Sequence, residues 1–253
     1  ELRHSDQVWS AKFAYDGHSI VTTSHDGTAR VWHAKTGEPL TNPLKHDGKL
    51  TPAMLSPNGN LVVTVVGSSV SIFDIATNRQ ASTFRHAGGV RDIAFDADGQ
   101  RVVTASEDGT ARLWNPRTGR EIGSALRHAQ AVMSARFSRN GQRVLTASKD
   151  GFASLWSVGT GKLIERKQHP GWVVFAAFGP DDELIVTIGD NGVARIWHPR
   201  AKEPIETVVV FDGRCSDHAL GHGLDVARTL LEGKQRGWRR SAEAWFGRQV
   251  RRS

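Results

Sequence analysis

Apolar and polar positions alternate in short bursts along this chain, and the bursts recur at a fixed spacing. Between residues 86 and 128, Val90, Ile93 and Phe95 mark a short strand that ends in the turn dipeptide Asp98-Gly99. A second strand is predicted from Arg101 to Ser106, a turn at Asp108-Gly109, and a third strand from Thr110 to Trp114. Thr118-Gly119 then leads into a fourth, more polar strand that ends at the next histidine. Each unit therefore predicts one four-stranded antiparallel sheet. The unit occurs five times, from His4, His46, His86, His128 and His169, at gaps of 42, 40, 42 and 41 residues. The aromatics that close the third strands, Trp32, Phe73, Trp114, Trp156 and Trp197, are separated by 41, 41, 42 and 41 residues. Self-similarity at one period is the mark of a repeat architecture. A lone sheet of this kind cannot bury both faces, so it must stack on its neighbours, and four-stranded sheets arranged radially form a propeller. Small and β-branched residues such as Val102, Val103 and Ala105, or Val144, Leu145 and Ala147, suit strands packed between two sheets.

Spacing, turns and aromatic positions together resemble the WD40 repeat, over residues 1 to about 212. The resemblance implies an all-β propeller of four-stranded antiparallel blades, five of them here. It also implies a buried tetrad of His, Ser/Thr, Asp and Trp in each blade. The matching positions are His4, Thr22, Asp26 and Trp32; His86, Thr104, Asp108 and Trp114; and His128, Thr146, Asp150 and Trp156. Unpaired buried polar groups cost about 1 to 3 kcal/mol each, so the four residue types stand or fall together. Two blades depart from the pattern. The second is one residue short at its turn, Gly67-Ser68, has no Asp, and ends at Phe73, although His46 and Thr64 remain. The fifth carries Asn191 where Asp is expected, and a weaker network follows from the lost charge.

This repetition removes most catalytic candidates. Ser/Thr, His and Asp recur in phase with the fold, whereas a hydrolase triad occurs once, and no G-x-S-x-G elbow is present. Glycines fall in turns and form no phosphate loop. His218 and His222 have i, i+4 spacing but lack the Glu of H-E-x-x-H and an evident third ligand. No cofactor, no metal and no enzymatic activity are expected.

Binding remains, on the faces where loops gather. By resemblance, protein partners are met by residues shortly after each histidine and by the residue before the turn Asp. Those positions supply Gln7, Trp9, Lys49, Arg91, Met133, Trp172, His25, Glu107 and Lys149 as candidate partner contacts. Trp9 and Trp172 stand out, because Trp is a favoured interface anchor. The charges are mixed in sign, so no single ligand class is indicated. A scaffold mediating protein–protein interaction is the leading expectation.

Charge divides the chain. Residues 214 to 253 hold nine basic against four acidic residues, which is five of the net +7. The high pI of about 10.0 is thus mainly a property of this segment. Residues 213 to 253 lack the repeat and read as basic and partly helical, with helices over Leu224–Leu231 and Trp238–Val250. This tail is open to three readings: a cap on the last blade, a contact with anionic membrane, or a contact with RNA. The single cysteine, Cys215, excludes an internal disulfide, and no apolar run approaches the length of a membrane span. A cytoplasmic location is expected. Glu1 to Arg3 read as the end of a fourth strand, yet Ile205 to Phe211 supply the fifth blade's own. A segment of a longer propeller is therefore expected, with an open arc, a five-bladed ring with displaced ends, or closure by a second chain as alternatives. An open arc would invite self-association. The repeat phrasing resembles bacterial WD40 proteins, which implies that a signalling module such as a protein kinase can precede the blades.

Overall fold

The computed structural model describes residues 2–48, 50, 53–179, 182–198 and 206–209. The five sheets predicted from the repeat are present, each a four-stranded antiparallel meander. Blade one comprises β1 (Val8–Phe13), β2 (Ser19–Ser24), β3 (Thr28–His33) and β4 (Leu44–Lys45). Blade two comprises β5 (Met54–Leu55), β6 (Leu61–Val66), β7 (Ser69–Asp74) and β8 (Arg79–Arg85). Blade three has β9 (Val90–Phe95), β10 (Val102–Ser106), β11 (Thr110–Trp114) and β12 (Leu126–Arg127). Blade four has β13 (Val132–Phe137), β14 (Arg143–Ser148), β15 (Phe152–Ser157) and β16 (Leu163–Gln168). Blade five has β17 (Val173–Phe178), β18 (Ile185–Gly189), β19 (Val193–Trp197) and β20 (Glu206–Val209). The helices expected over Leu224–Leu231 and Trp238–Val250 lie outside the described residues, as do Cys215, His218 and His222.

The second strand of each blade is apolar on both faces because it is buried on both. Val102 joins the cluster between blades two and three, with Leu61, Val63, Ile93 and Trp114. Its neighbour Val103 points the other way, into the cluster with Ala135, Val144 and Trp156 of blade four. Equivalent clusters join blades one to two and four to five. The core is thus a series of slabs between blades, and burying each Val, Leu or Ile there contributes about 1.5 to 3 kcal/mol.

Polar ties reinforce the slabs. The Asp92 carboxylate of β9 accepts the Ala135 amide of β13 at 3.1 Å and also binds the Arg136 guanidinium. Ser134 Oγ on β13 accepts the Ala176 amide of β17 at 3.2 Å. Arginines clasp the next blade: Arg101 lies 5.4 Å from the Phe137 ring, and Arg143 lies 5.4 Å from Phe178 while donating to the Asp182 carbonyl at 3.1 Å.

Blade one differs on its outward face. Val8 is 44% exposed, whereas Val132 at the same register is fully buried. Phe13, which stands where Phe137 and Phe178 lie under their arginines, is 69% exposed, and Tyr15 beside it is exposed too.

Candidate partner-binding rim

The Asp-Gly turns between the second and third strands fix one end of every blade. Gly109 has φ +79°, and a Cβ there would meet the His128 carbonyl oxygen at 3.2 Å, so glycine is required for both reasons. Behind the turn lies a relay. In blade three, Trp114 Nε1 donates to Thr104 Oγ1 at 2.8 Å, the Thr104 hydroxyl pairs with His86 Nε2 at 2.6 Å, and His86 Nδ1 pairs with Asp108 Oδ2 at 2.9 Å. The network assigns the ring proton to Nδ1, since the carboxylate can only accept. Blade one repeats it through Trp32, Thr22, His4 and Asp26 at 2.7, 2.7 and 3.1 Å. Blade four does so through Trp156, Thr146, His128 and Asp150 at 2.9, 2.7 and 2.8 Å.

Electrostatics follow from enclosure. Burial pushes the His86 and His128 rings below the usual histidine range, against the pull of Asp108 and Asp150, so both rings are neutral near pH 7. Burial opposes ionisation of Asp108, but donation from Thr110 and His86 outweighs it and holds that carboxyl at about 2. The carboxylate also staples the rim loop, accepting the amide of the residue after the histidine. Ser5, Ala87 and Ala129 donate to Asp26, Asp108 and Asp150 at 3.1, 3.1 and 3.2 Å.

Blade five keeps only part of this. Trp197 Nε1 donates to Thr187 Oγ1 at 2.8 Å, and Thr187 pairs with His169 Nε2 at 2.6 Å. His169 Nδ1 is buried with no partner, and burial, with Arg195 nearby, pushes its pKa down to about 4. Asn191 Oδ1 accepts the Val193 amide at 3.2 Å instead. The residue after His169 is Pro170, which has no amide hydrogen to staple.

The rim residues are paired across the loops. Trp9 stacks on His25 with ring centroids 5.9 Å apart and 25° between planes. Arg91 Nη2 lies 2.6 Å from Glu107 Oε1. The Lys149 ammonium of blade four sits 4.3 Å from the centre of the Trp172 ring of blade five, a cation–π contact between blades. Trp9 and Trp172 are 43% and 46% exposed, and Gln7, His25 and Glu107 are also exposed. Lys49 lies outside the described residues. Met133 is a correction: it is only 2% exposed and offers a partner no surface. Its repeat position alone gives no rule for exposure, because that position is a β-bulge in blades one, three, four and five. Trp9, Arg91, Met133 and Val174 are each the unpaired extra residue of the first strand in their blade. A bulge re-aims its side chain, so position in the repeat does not settle whether that side chain faces in or out.

Each in-phase His, Thr and Asp of blades one, three and four is engaged in its relay, and no group of His, Cys, Asp and Glu among the described residues is placed to hold a metal. No helix among the described residues is long and apolar enough to cross a membrane.

Among the described residues, twenty strands in five four-stranded meanders, three of them with a complete relay, define a propeller-blade protein. The family "WD domain, G-beta repeat" matches residues 2–33, 78–115, 120–157 and 161–198, and the chain belongs to this WD40 family. The unmatched interval from 34 to 77 contains β5, β6 and β7 of blade two, the blade with no turn Asp and no Trp. The chain is 32% identical over 103 residues to the target of rapamycin complex subunit LST8 of Saccharomyces cerevisiae, covering 39% of this chain and 34% of the relative. It is 31% identical over 129 residues to the guanine nucleotide-binding protein subunit beta of Oryza sativa subsp. japonica, covering 47% of this chain and 34% of the relative. The chain thus spans about a third of the length of these curated relatives. Among solved structures, the computationally designed Ika8 protein superposes with a TM-score of 0.73 at 22% identity, over 84% of this chain and 65% of that one.

Proposed function

We propose that the protein is a non-enzymatic scaffold whose rim docks a protein partner, with Trp172 and Trp9 as anchors. The observation that carries this is Trp172, a large aromatic held half-exposed at the rim beneath the Lys149 ammonium. Such a ring is set in place before binding, so little side-chain freedom is lost when a partner covers it. The two relatives support the reading by name, since each is a subunit of a larger assembly. The use of the recurrent His, Thr and Asp in relays supports the absence of catalysis.

We further propose that the five blades of residues 1–212 belong to a longer ring, with residues 213–253 as a separate segment. The open apolar face of blade one and the 65% coverage of the designed neighbour support this. In the test, a partner is identified by cross-linking to the intact chain, and its affinity is measured for Trp172→Ala and Trp9→Ala. Loss of a central anchor is worth about 2 kcal/mol or more, a weakening of roughly 30-fold. Undiminished binding by both variants at unchanged melting temperature refutes the assignment.

A further inference from the structure

Blade two has lost its turn carboxylate but retains the groups that hold one in the other blades. In blade three, Asp108 is gripped by His86 Nδ1, by the Ala87 amide, and by the Thr110 hydroxyl, at 2.9, 3.1 and 2.6 Å. Blade one grips Asp26 through His4, the Ser5 amide and the Thr28 hydroxyl at 3.1, 3.1 and 2.6 Å. The register of blade two puts His46, the Asp47 amide and the Ser69 hydroxyl at those positions.

The turn itself explains the loss. Gly67-Ser68 closes a two-residue hairpin between Val66 and Ser69, with Gly67 at φ +57°, and such a turn has no position for an Asp behind it. The space is left as a cavity of about 270 Å³ lined by His46, Asp47, Thr64, Val66, Ser69, Ser71 and Arg85. Ser71 widens it, standing where blades one and five carry Arg30 and Arg195 over their tryptophans. His46 Nε2 is buried without a hydrogen-bond partner, and Thr64 Oγ1 keeps the bond to the Ser71 carbonyl, at 3.4 Å, that Thr104 and Thr146 also make to their third strands. Arg85, an exposed residue, also lines the cavity, and among the described residues it makes no ion pair.

We propose that this cavity is a carboxylate-binding site, in which a ligand's carboxylate completes the blade-two network in place of the missing Asp. His46 Nδ1, the Asp47 amide and Ser69 Oγ donate to the carboxylate as their counterparts do to Asp108, and Arg85 adds a charge-assisted bond. Asp47 lines the same cavity and its negative charge works against a second carboxylate, so the donors and Arg85 together must outweigh it. The mouth lies at the rim of the propeller, so the ligand class is an acidic side chain or C-terminal carboxylate of a peptide. A free small carboxylic acid shares this chemistry. The site goes beyond the tryptophan anchors and stands or falls independently of them.

The test uses the intact chain with the histidine ring resonances assigned by NMR. Sodium acetate, and separately an N-acetylated, C-amidated Gly-Gly-Glu-Gly-Gly peptide, are titrated at constant ionic strength. Both probes shift the His46 ring saturably and leave His128 unmoved, and tighter binding of the peptide identifies a peptide as the source, tighter acetate a small acid. Arg85→Gln weakens either probe about tenfold, the loss expected for one charge-assisted bond. Replacing Gly67-Ser68 with Glu-Asp-Gly supplies the carboxylate internally and abolishes the response while the fold is kept. No saturable His46 shift, an equal response to chloride, or full binding by the Glu-Asp-Gly variant overturns the proposal.

Discussion

Asp108→Ala measures what one relay contributes to the fold. The substitution removes the acceptor of His86 Nδ1 and of the Ala87 amide, and both acceptor contacts to Thr110, from its amide at 2.9 Å and its hydroxyl at 2.6 Å. The His86 side chain is completely enclosed, and Thr110 is buried, so water does not replace the lost oxygens. A buried donor left without an acceptor costs about 1 to 3 kcal/mol. Two such donors, the ring Nδ1–H and the Thr110 amide, put the loss at about 2 to 6 kcal/mol. Asn191→Ala in blade five removes one 3.2 Å contact to the Val193 amide at an exposed site, and costs about 0.5 to 1 kcal/mol. At roughly 2 to 4 °C per kcal/mol for a domain of this size, Asp108→Ala lowers Tm by about 4 to 24 °C, centred near 12 °C, and Asn191→Ala by less than about 4 °C. Thermal unfolding followed by far-UV circular dichroism reads both. Asp108→Asn, which gives blade three the residue of blade five, falls between them. Equal losses for Asp108→Ala and Asn191→Ala would show that the turn carboxylate carries no special weight, and the reasoning fails.

The remaining expectations follow from the same geometry. His169 titrates at about 4 in the folded chain against about 6.5 unfolded. It is neutral in both states above 6.5, and as pH falls only the unfolded chain takes up the proton. Stability is therefore lost between about pH 6.5 and 4, on the order of 3 kcal/mol, and urea midpoints across that range fall less steeply in His169→Gln. Arg143→Ala breaks the clasp on Phe178 and the bond to the Asp182 carbonyl, costs about 1 to 2 kcal/mol, and speeds hydrogen exchange in β18 before β10. Phe13→Ser on the open face of blade one raises solubility with little change in Tm, and a fall of several degrees would show that something packs there.

The blades and relays were readable in the sequence because both rest on local identity. Alternating apolar residues and Asp-Gly turns define a strand wherever they occur, and His86, Thr104, Asp108 and Trp114 sit at offsets that recur in blades one and four. Contacts between blades were not readable. That Arg101 lies on Phe137, or Asp92 on Arg136, depends on how two sheets are set against each other, about 40 residues apart along the chain. Met133 shows the same limit at a single residue. It shares its repeat position with Trp9, but the bulge removes the alternation that would otherwise tell inside from outside. In blade two the sequence announced a short turn without Asp, but not that His46, Ser69 and Arg85 still converge on the space behind it.

The missing staple in blade five moves the anchorage of that loop from its base to its tip. Three loops are tied at their base to a carboxylate, while the Pro170-Gly171-Trp172 loop is held by its backbone bond, from the Asp190 amide to the Trp172 carbonyl at 2.9 Å, and by the Lys149 ammonium of blade four over the Trp172 ring. The exposed tryptophan is therefore held by the neighbouring blade and not by a staple of its own. Whatever draws Lys149 away would loosen the one loop whose base gave up an amide hydrogen for a proline.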